Sequence, residues 1–364
     1  MDPVRDSEKL IRPHLLRMKP YGYIAPLEVL TENARIPVET LIKLDGNENP
    51  YGCSPRVNEA LAKYPYYHIY PDSEQRELRK SLQEYTGAPA DQIVVGSGSD
   101  ELIDFIMRLF VNPGDQVINC VPTFGVYQFS TEAYGGTVVA LPRDQSFAVD
   151  VPAVKKAIAA GAKVVFIASP NNPSGNTTPR QHILDILDNN VIVVIDEAYC
   201  EFGGQTMIPL VGQFDNLIVL RTFSKWAGLA GLRVGYGIFP TKIANHLFRI
   251  KPPYNVNAAA QIAALESLRD LDYLQHTIKA ILSERKRLSD KLAGTGALTP
   301  WPSEANFILC SVHNNQASTV YQELRRRRIL VRYFDTPLLT DYVRISVGKP
   351  EHTDALVAAL SEIC

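Results

Sequence analysis

The stretch VIVVIDEAYCEF, residues 191–202, decides the fold class. Its first five residues are all apolar and β-branched. They have strand length without polar alternation, which is how a strand covered on both faces reads. Asp196 follows directly, at the carboxyl end where α/β folds present ligand groups. Runs of the same kind stand on either side, at QIVV (92–95), QVIN (116–119), TVVAL (137–141), KVVFIA (163–168), LIVL (217–220) and VGYGIF (234–239). Helical patterns fall between several of them. After Ser97, Leu102, Ile103, Ile106, Met107 and Phe110 recur at helical spacing behind a Ser/Asp-rich start. Strand and helix in alternation imply an α/β domain with a mostly parallel sheet covered by helices.

The character changes after KPPYN (251–255). Ile278, Ile281, Leu282, Arg285, Leu288 and Leu292 mark a long amphipathic helix ending near Gly294. Short strands follow at FILC (307–310), ILVR (329–332) and YVRISV (342–347), with a last helix over 353–363. The expected division is an N-terminal arm over 1–43, packing on the small domain or a partner subunit, a large α/β domain over 44–255, and a smaller α+β domain over 256–364.

Composition bounds the function. The chain has 364 residues, enough for about two domains. Lysine plus arginine (37) against aspartate plus glutamate (39) gives a net charge of −2. The one basic run, 325–328, is too short for a general grip on nucleic acid. No apolar stretch reaches the length of a membrane span. The N-terminus, MDPVRDSEKLIRPHLL, lacks the basic start and apolar run of a signal peptide. Five scattered cysteines fit reduced thiols, so a cytoplasmic location is expected. The seven histidines have no metal spacing, and no metal is expected.

Four segments carry chemistry. In RTFSKWAGLAGLRVGYG (221–237), Lys225 follows Ser224 and precedes Arg233 by eight residues. A lone loop lysine is ordinarily just solvated. Here a hydroxyl and a guanidinium fork suit a phosphate, Gly228, Gly231 and Gly235 permit close backbone approach, and a lysine beside a phosphate site is what a Schiff-base cofactor requires. Asp196 reads either as a cap for the turn after it or as a carboxylate that keeps a ring nitrogen protonated, and Tyr199 reaches a phenolic oxygen on the same ring. SPNNPSG (169–175) is a tight turn on any reading, with Asn172 able to donate to a ligand oxygen. In VVGSGSDELI (94–103), the main chain of Ser99 and Asp100 at a helix start suits a phosphate. As a dinucleotide fingerprint it fails, because Glu101 takes the third glycine position. With Phe124 as an aromatic lid, this inventory matches pyridoxal phosphate.

The order NP-x-G, D-x-A-Y, S-K-x(7)-R resembles the fold type I pyridoxal-phosphate aminotransferases. Within them the chain is similar to the histidinol-phosphate aminotransferase family over essentially its whole length. The strings LDGNENPYG (44–52), YPDSEQRELR (70–79), GSGSDELI (96–103), PTFGVY (122–127), SPNNPSG, IDEAYCEF, RTFSKWAGLAGLRVGYG and YVRISVG (342–348) carry that likeness in order. Two positions depart from it: Phe124 stands where many members have Tyr, and Trp226 where relatives often have a small or different residue.

The resemblance implies a cofactor bound through Lys225, with Asp196 on the pyridine nitrogen, Asn172 and Tyr199 at the ring hydroxyl, Phe124 on the ring face, and Ser99, Asp100, Ser224 and Arg233 at the phosphate. It implies that Tyr70 reaches the phosphate of a neighbouring subunit in a homodimer. It places Arg344 on the substrate carboxylate, Arg332 and Tyr21 on a substrate phosphate, and Asn47 among the substrate-binding residues. The activity implied is amino transfer between histidinol phosphate and 2-oxoglutarate, returning imidazole-acetol phosphate and glutamate, in histidine biosynthesis. Other readings on the same scaffold are an aromatic-amino-acid aminotransferase and a phospho-amino-acid decarboxylase. A cofactor-binding protein without catalysis is a reading of another class.

Overall fold

The computed structural model describes residues 7–22, 37 and 40–363. The rest of the expected N-terminal arm lies outside the described residues. Twelve strands form two sheets among the described residues. They are β1 (Ile42–Leu44), β2 (Ile93–Gly96), β3 (Gln116–Val121), β4 (Thr137–Pro142), β5 (Val164–Ala168), β6 (Ile192–Asp196), β7 (Leu217–Thr222), β8 (Gly235–Ile238), β9 (Leu298–Pro300), β10 (Phe307–Val312), β11 (Ile329–Tyr333) and β12 (Tyr342–Ser346).

The larger sheet runs β2-β8-β7-β6-β5-β3-β4. Only β8 is antiparallel to its neighbours, and β3 to β7 are parallel. The continuous apolar runs have the physical cause expected of them. Val164, Phe166 and Ala168 enter one core with Leu102, Ile103 and Ile106 of the helix Gly98–Phe110, while Val165 and Ile167 of the same strand enter the core on the other face. Both faces being covered, neither set of alternate residues is polar.

The smaller sheet runs β1-β11-β12-β10-β9. Two of its strands are not legible in the sequence. β1 has three residues and pairs in parallel with β11, so residues 42–44 join the second sheet although they precede the first one in the chain. β9 ends on Pro300 at the sheet edge, where a missing N–H is tolerated. The long helix is Leu271–Gly294, and the last is Pro350–Ile363.

The described part of the N-terminal segment lies mainly on the larger unit. A His14 ring nitrogen bonds the Ala133 carbonyl at 3.2 Å, and the Tyr21 ring meets Phe129 edge-on at 5.7 Å. No helix among the described residues is long and apolar enough to cross a membrane.

Candidate active site

Six strand ends of the larger sheet, joined to five connections, meet at one edge. β2, β3, β5, β6 and β7 end there, and the antiparallel β8 begins there, so Ser99, Phe124, Asn172, Asp196, Ser224 and Lys225 converge. The smaller sheet closes the cavity from above with Arg332 and Arg344, and the turn after β1 adds Asn47. The cavity volume is about 300 Å³.

Lys225 faces this cavity, and its Nζ donates to the Gly46 carbonyl at 3.0 Å. Burial pushes the amine down to about 8, because a low-polarity surround disfavours the ammonium. A neutral amine is the nucleophilic form, so the site prepares this lysine for an aldehyde.

Asp196 closes β6 and is 4% exposed. Its Oδ1 accepts from the Ala198 N–H at 3.0 Å and its Oδ2 from the Tyr127 hydroxyl at 2.6 Å. Burial raises the carboxyl to about 6, against the lowering effect of those two donors. The capping role and the pocket role therefore coexist: one oxygen orders the turn, while the carboxylate as a whole lines the cavity. Tyr199 is buried, and its phenol oxygen accepts from Asn47 Nδ2 at 3.0 Å. Asn47 has a left-handed φ of 54° and is held by Ser346 Oγ at 2.9 Å, through both its own N–H and its Oδ1, and by Asn306 Nδ2 at its carbonyl.

The start of the helix Gly98–Phe110 offers groups that could hold an anion. Arg233 Nη2 meets Asp100 Oδ2 at 2.8 Å, both side chains being 44% exposed. Ser224 Oγ accepts from Thr222 Oγ1 at 2.9 Å. Gly235 makes the close packing possible, since a Cβ there would lie 2.7 Å from the Ser99 nitrogen.

Arg332 and Arg344 are register partners on β11 and β12, so their side chains leave the same face of the sheet side by side. Arg344 Nη1 donates to Asn172 Oδ1 at 2.6 Å, Nη2 donates to the Asp45 carbonyl, and the buried Nε has no partner. Burial lowers Arg344 to about 10. Arg332 Nη2 donates to the Gly22 carbonyl at 3.3 Å. Neither forms an ion pair among the described residues.

All the residues given a cofactor or substrate role from the sequence line this cavity except Tyr70. Tyr70 is 76% exposed and stacks on Tyr254 at 4.4 Å, away from the pocket of its own chain. Trp226 is 1% exposed and stacks on Tyr85 at 5.5 Å, so its bulk lies in the core and not in the cavity lining. Tyr127 went unnoticed in the sequence. Its one signal is position, at the end of the PTFGVY string and in the first turn of the helix Val126–Ala133.

The donor set fits pyridoxal phosphate: a depressed lysine amine, a buried carboxylate, two hydrogen-bonding groups between them, and helix-start amides with a hydroxyl and a guanidinium for phosphate. A family model, aminotransferase class I and II, matches residues 39–360. A histidinol-phosphate aminotransferase of Dehalococcoides mccartyi (strain CBDB1) is 52% identical over 323 residues, covering 89% of this chain and 90% of that protein. One from Roseiflexus castenholzii is 48% identical over 363 residues, covering 97% and 98%. The crystal structure of the histidinol-phosphate aminotransferase of Sinorhizobium meliloti with pyridoxal-5'-phosphate superposes with a TM-score of 0.90 at 27% identity, over 97% of each chain. The chain therefore belongs to the class I and II aminotransferases and, within them, to the histidinol-phosphate aminotransferase family.

Proposed function

We propose that this chain moves an amino group between glutamate and imidazole-acetol phosphate, forming histidinol phosphate and 2-oxoglutarate, as the transamination step of histidine synthesis. The cofactor is pyridoxal phosphate, which when bound supplies an electron sink for the carbon that loses its proton. Lys225 would hold its aldehyde end, Asp196 its ring nitrogen, Asn172 and Tyr199 its ring hydroxyl, Phe124 its ring face, and Ser99, Asp100 N–H, Ser224 and Arg233 its phosphate. Lys225, with its amine depressed to about 8, has the basicity to take a proton from the substrate carbon and return it. Arg344, anchored by Asn172 and Asp45, would receive the α-carboxylate of glutamate bidentately.

One observation carries the substrate reading: two arginines stand side by side on β11 and β12 and line the cavity with Lys225, and neither forms an ion pair among the described residues. Like charges opposite each other on a sheet cost stability, and a dianion removes that cost. Histidinol phosphate has a phosphate ester where an amino acid has its carboxylate, so it brings about two negative charges. Tyr21, whose phenol burial holds above its ordinary range, lies at the same wall beside Arg332.

Two further proposals go with this one. The enzyme is a homodimer in which Tyr70 reaches the partner's phosphate cradle, supported by the exposed run Tyr66, Tyr67, Ile69 and Tyr70. It works in a reducing, cytoplasmic setting, supported by the free thiols of Cys53, Cys120, Cys200 and Cys310.

Arg332→Ala tests the substrate reading. A charge-assisted hydrogen bond of about 1.5–3 kcal/mol corresponds to roughly 10- to 150-fold in affinity. Half-reactions with histidinol phosphate, phenylalanine and tyrosine, followed at the cofactor absorbance, should show that loss for histidinol phosphate and a much smaller one for the unphosphorylated substrates. Equal losses for all three would put the aromatic aminotransferase ahead.

A further inference from the structure

We propose that Tyr127 is a positioning residue for Asp196: its hydroxyl holds the carboxylate ionised and fixed in one orientation toward the pocket. The inference rests on the reading of Asp196 as the partner of the cofactor's ring nitrogen.

The geometry leaves the phenol little choice. Tyr127 is fully buried, and its ring stacks on Phe166 at 4.8 Å with an interplanar angle of 13°. Phe124 meets it edge-on at 5.6 Å and 86°. Packed on both sides, the ring is held with its hydroxyl against Asp196 Oδ2 at 2.6 Å. No solvent reaches the phenol to replace that acceptor, so breaking the bond would leave two buried polar atoms unmatched. Tyr127 also stays the donor, because burial and the neighbouring carboxylate hold its proton well above the ordinary phenol range.

The charges around Asp196 show why a donor is needed there. The neighbouring carboxylates of Asp100, on the helix Gly98–Phe110, and Glu197, next in the chain, oppose its ionisation. Tyr199 adds a neutral phenol. Against these and against burial stand two hydrogen bonds, from the Ala198 N–H and from Tyr127. The backbone bond is fixed by the turn. The side-chain bond is the one that the sequence can vary, and Tyr127 supplies it while its ring braces Phe124.

The test measures Asp196 itself. In the full chain with aspartate labelled at its carboxyl carbon, the Asp196 resonance, assigned by its absence from Asp196→Asn, is titrated with and without pyridoxal phosphate. Loss of the hydroxyl in Tyr127→Phe should move the ionisation up by about one pH unit or more, the scale of one lost hydrogen bond to a charged group. Site-specific replacement of Tyr127 by a fluorinated tyrosine, a stronger donor of nearly the same shape, should move it down. With ring-nitrogen-labelled cofactor, the protonated fraction at a given pH should fall in Tyr127→Phe. Unchanged ionisation in both variants, or shifts in the same direction, would overturn the proposal, since a packing defect has no reason to follow donor strength. Failure of the parent chain to turn over histidinol phosphate would count against the substrate reading only, because the Asp196 titration uses no substrate.

Discussion

Asp196 is held in the state that costs the fold most. Its carboxyl is raised from 3.8 to about 6, so the folded chain binds a proton more tightly than the unfolded chain across that interval. Folding stability from this group is thus present below about pH 4 and is lost as pH rises through 6. An amide at this position would keep both contacts: Oδ1 can accept from Ala198, and Nδ2 can donate to the Tyr127 oxygen. Asp196→Asn, free of cofactor, should therefore melt higher than the parent at pH 7.5, by a margin that shrinks as pH falls through 6 and closes only below about pH 4. Pyridoxal phosphate should reverse the order at pH 7.5, because only the carboxylate pairs with a protonated ring nitrogen. Turnover should fall at least tenfold, the scale of one charge-assisted bond of about 1.5–3 kcal/mol. Normal turnover with parent-like melting would reduce Asp196 to a cap. Asn172 shows the same economy of placement: its Oδ1 already holds Arg344, so one side chain would join the proposed cofactor and substrate ends of the pocket.

The proposed phosphate cradle depends on how closely three elements approach. A Cβ on Gly235, the first residue of β8, would meet the Ser99 nitrogen at 2.7 Å, the Arg221 carbonyl oxygen at 2.8 Å and the Gly98 carbonyl carbon at 2.9 Å. All three are backbone atoms, so none can rotate away. Gly235→Ala must push the start of the helix Gly98–Phe110 off the sheet, and the Ser99 amide moves with it. We expect a lower melting temperature and at least tenfold weaker cofactor binding, measured by equilibrium dialysis, with catalysis recovering partly at saturating cofactor. Parent-like cofactor affinity would show that the helix start is not part of the cradle. At this scale the sequence was informative about β2, β3 and β5 to β8, because burial on both faces forces continuous apolar runs, whereas the edge strand β4 is apolar without being fully buried. It was uninformative about β1 and β9, whose three residues each carry no period.

Two sheets and a putting-together of their edges make the site, and a second subunit is needed for the role given to Tyr70. Mixing Tyr70→Phe subunits with Lys225→Ala subunits tests this directly. If the tyrosine crosses to the partner, each hybrid dimer has one site with both defects and one with neither. Hybrids should then show close to half the activity of the parent dimer, well above either variant homodimer. If Tyr70 acts in its own subunit, every hybrid keeps only a site lacking that hydroxyl, and activity stays at half the Tyr70→Phe level or below. The exposed stacking of Tyr70 on Tyr254 also predicts that dimer dissociation on dilution weakens cofactor binding.

By itself, the sequence determined which groups this protein offers and on which connections they lie. Lys225, Asp196, Asn172, Tyr199 and Arg233 each follow or flank an apolar run, and a parallel sheet brings the ends of such runs to one edge. Local pattern was enough there, since covalent sequence places the residue and strand pairing does the rest. Tertiary structure alone decided the matters that depend on distant partners. It set Arg332 opposite Arg344 by strand register, turned Trp226 into the core against Tyr85, left Tyr70 outside its own pocket, and brought the Tyr127 hydroxyl onto Asp196 across 69 positions of chain. No periodicity encodes those contacts, because each is fixed by packing between elements that the chain joins only at a distance.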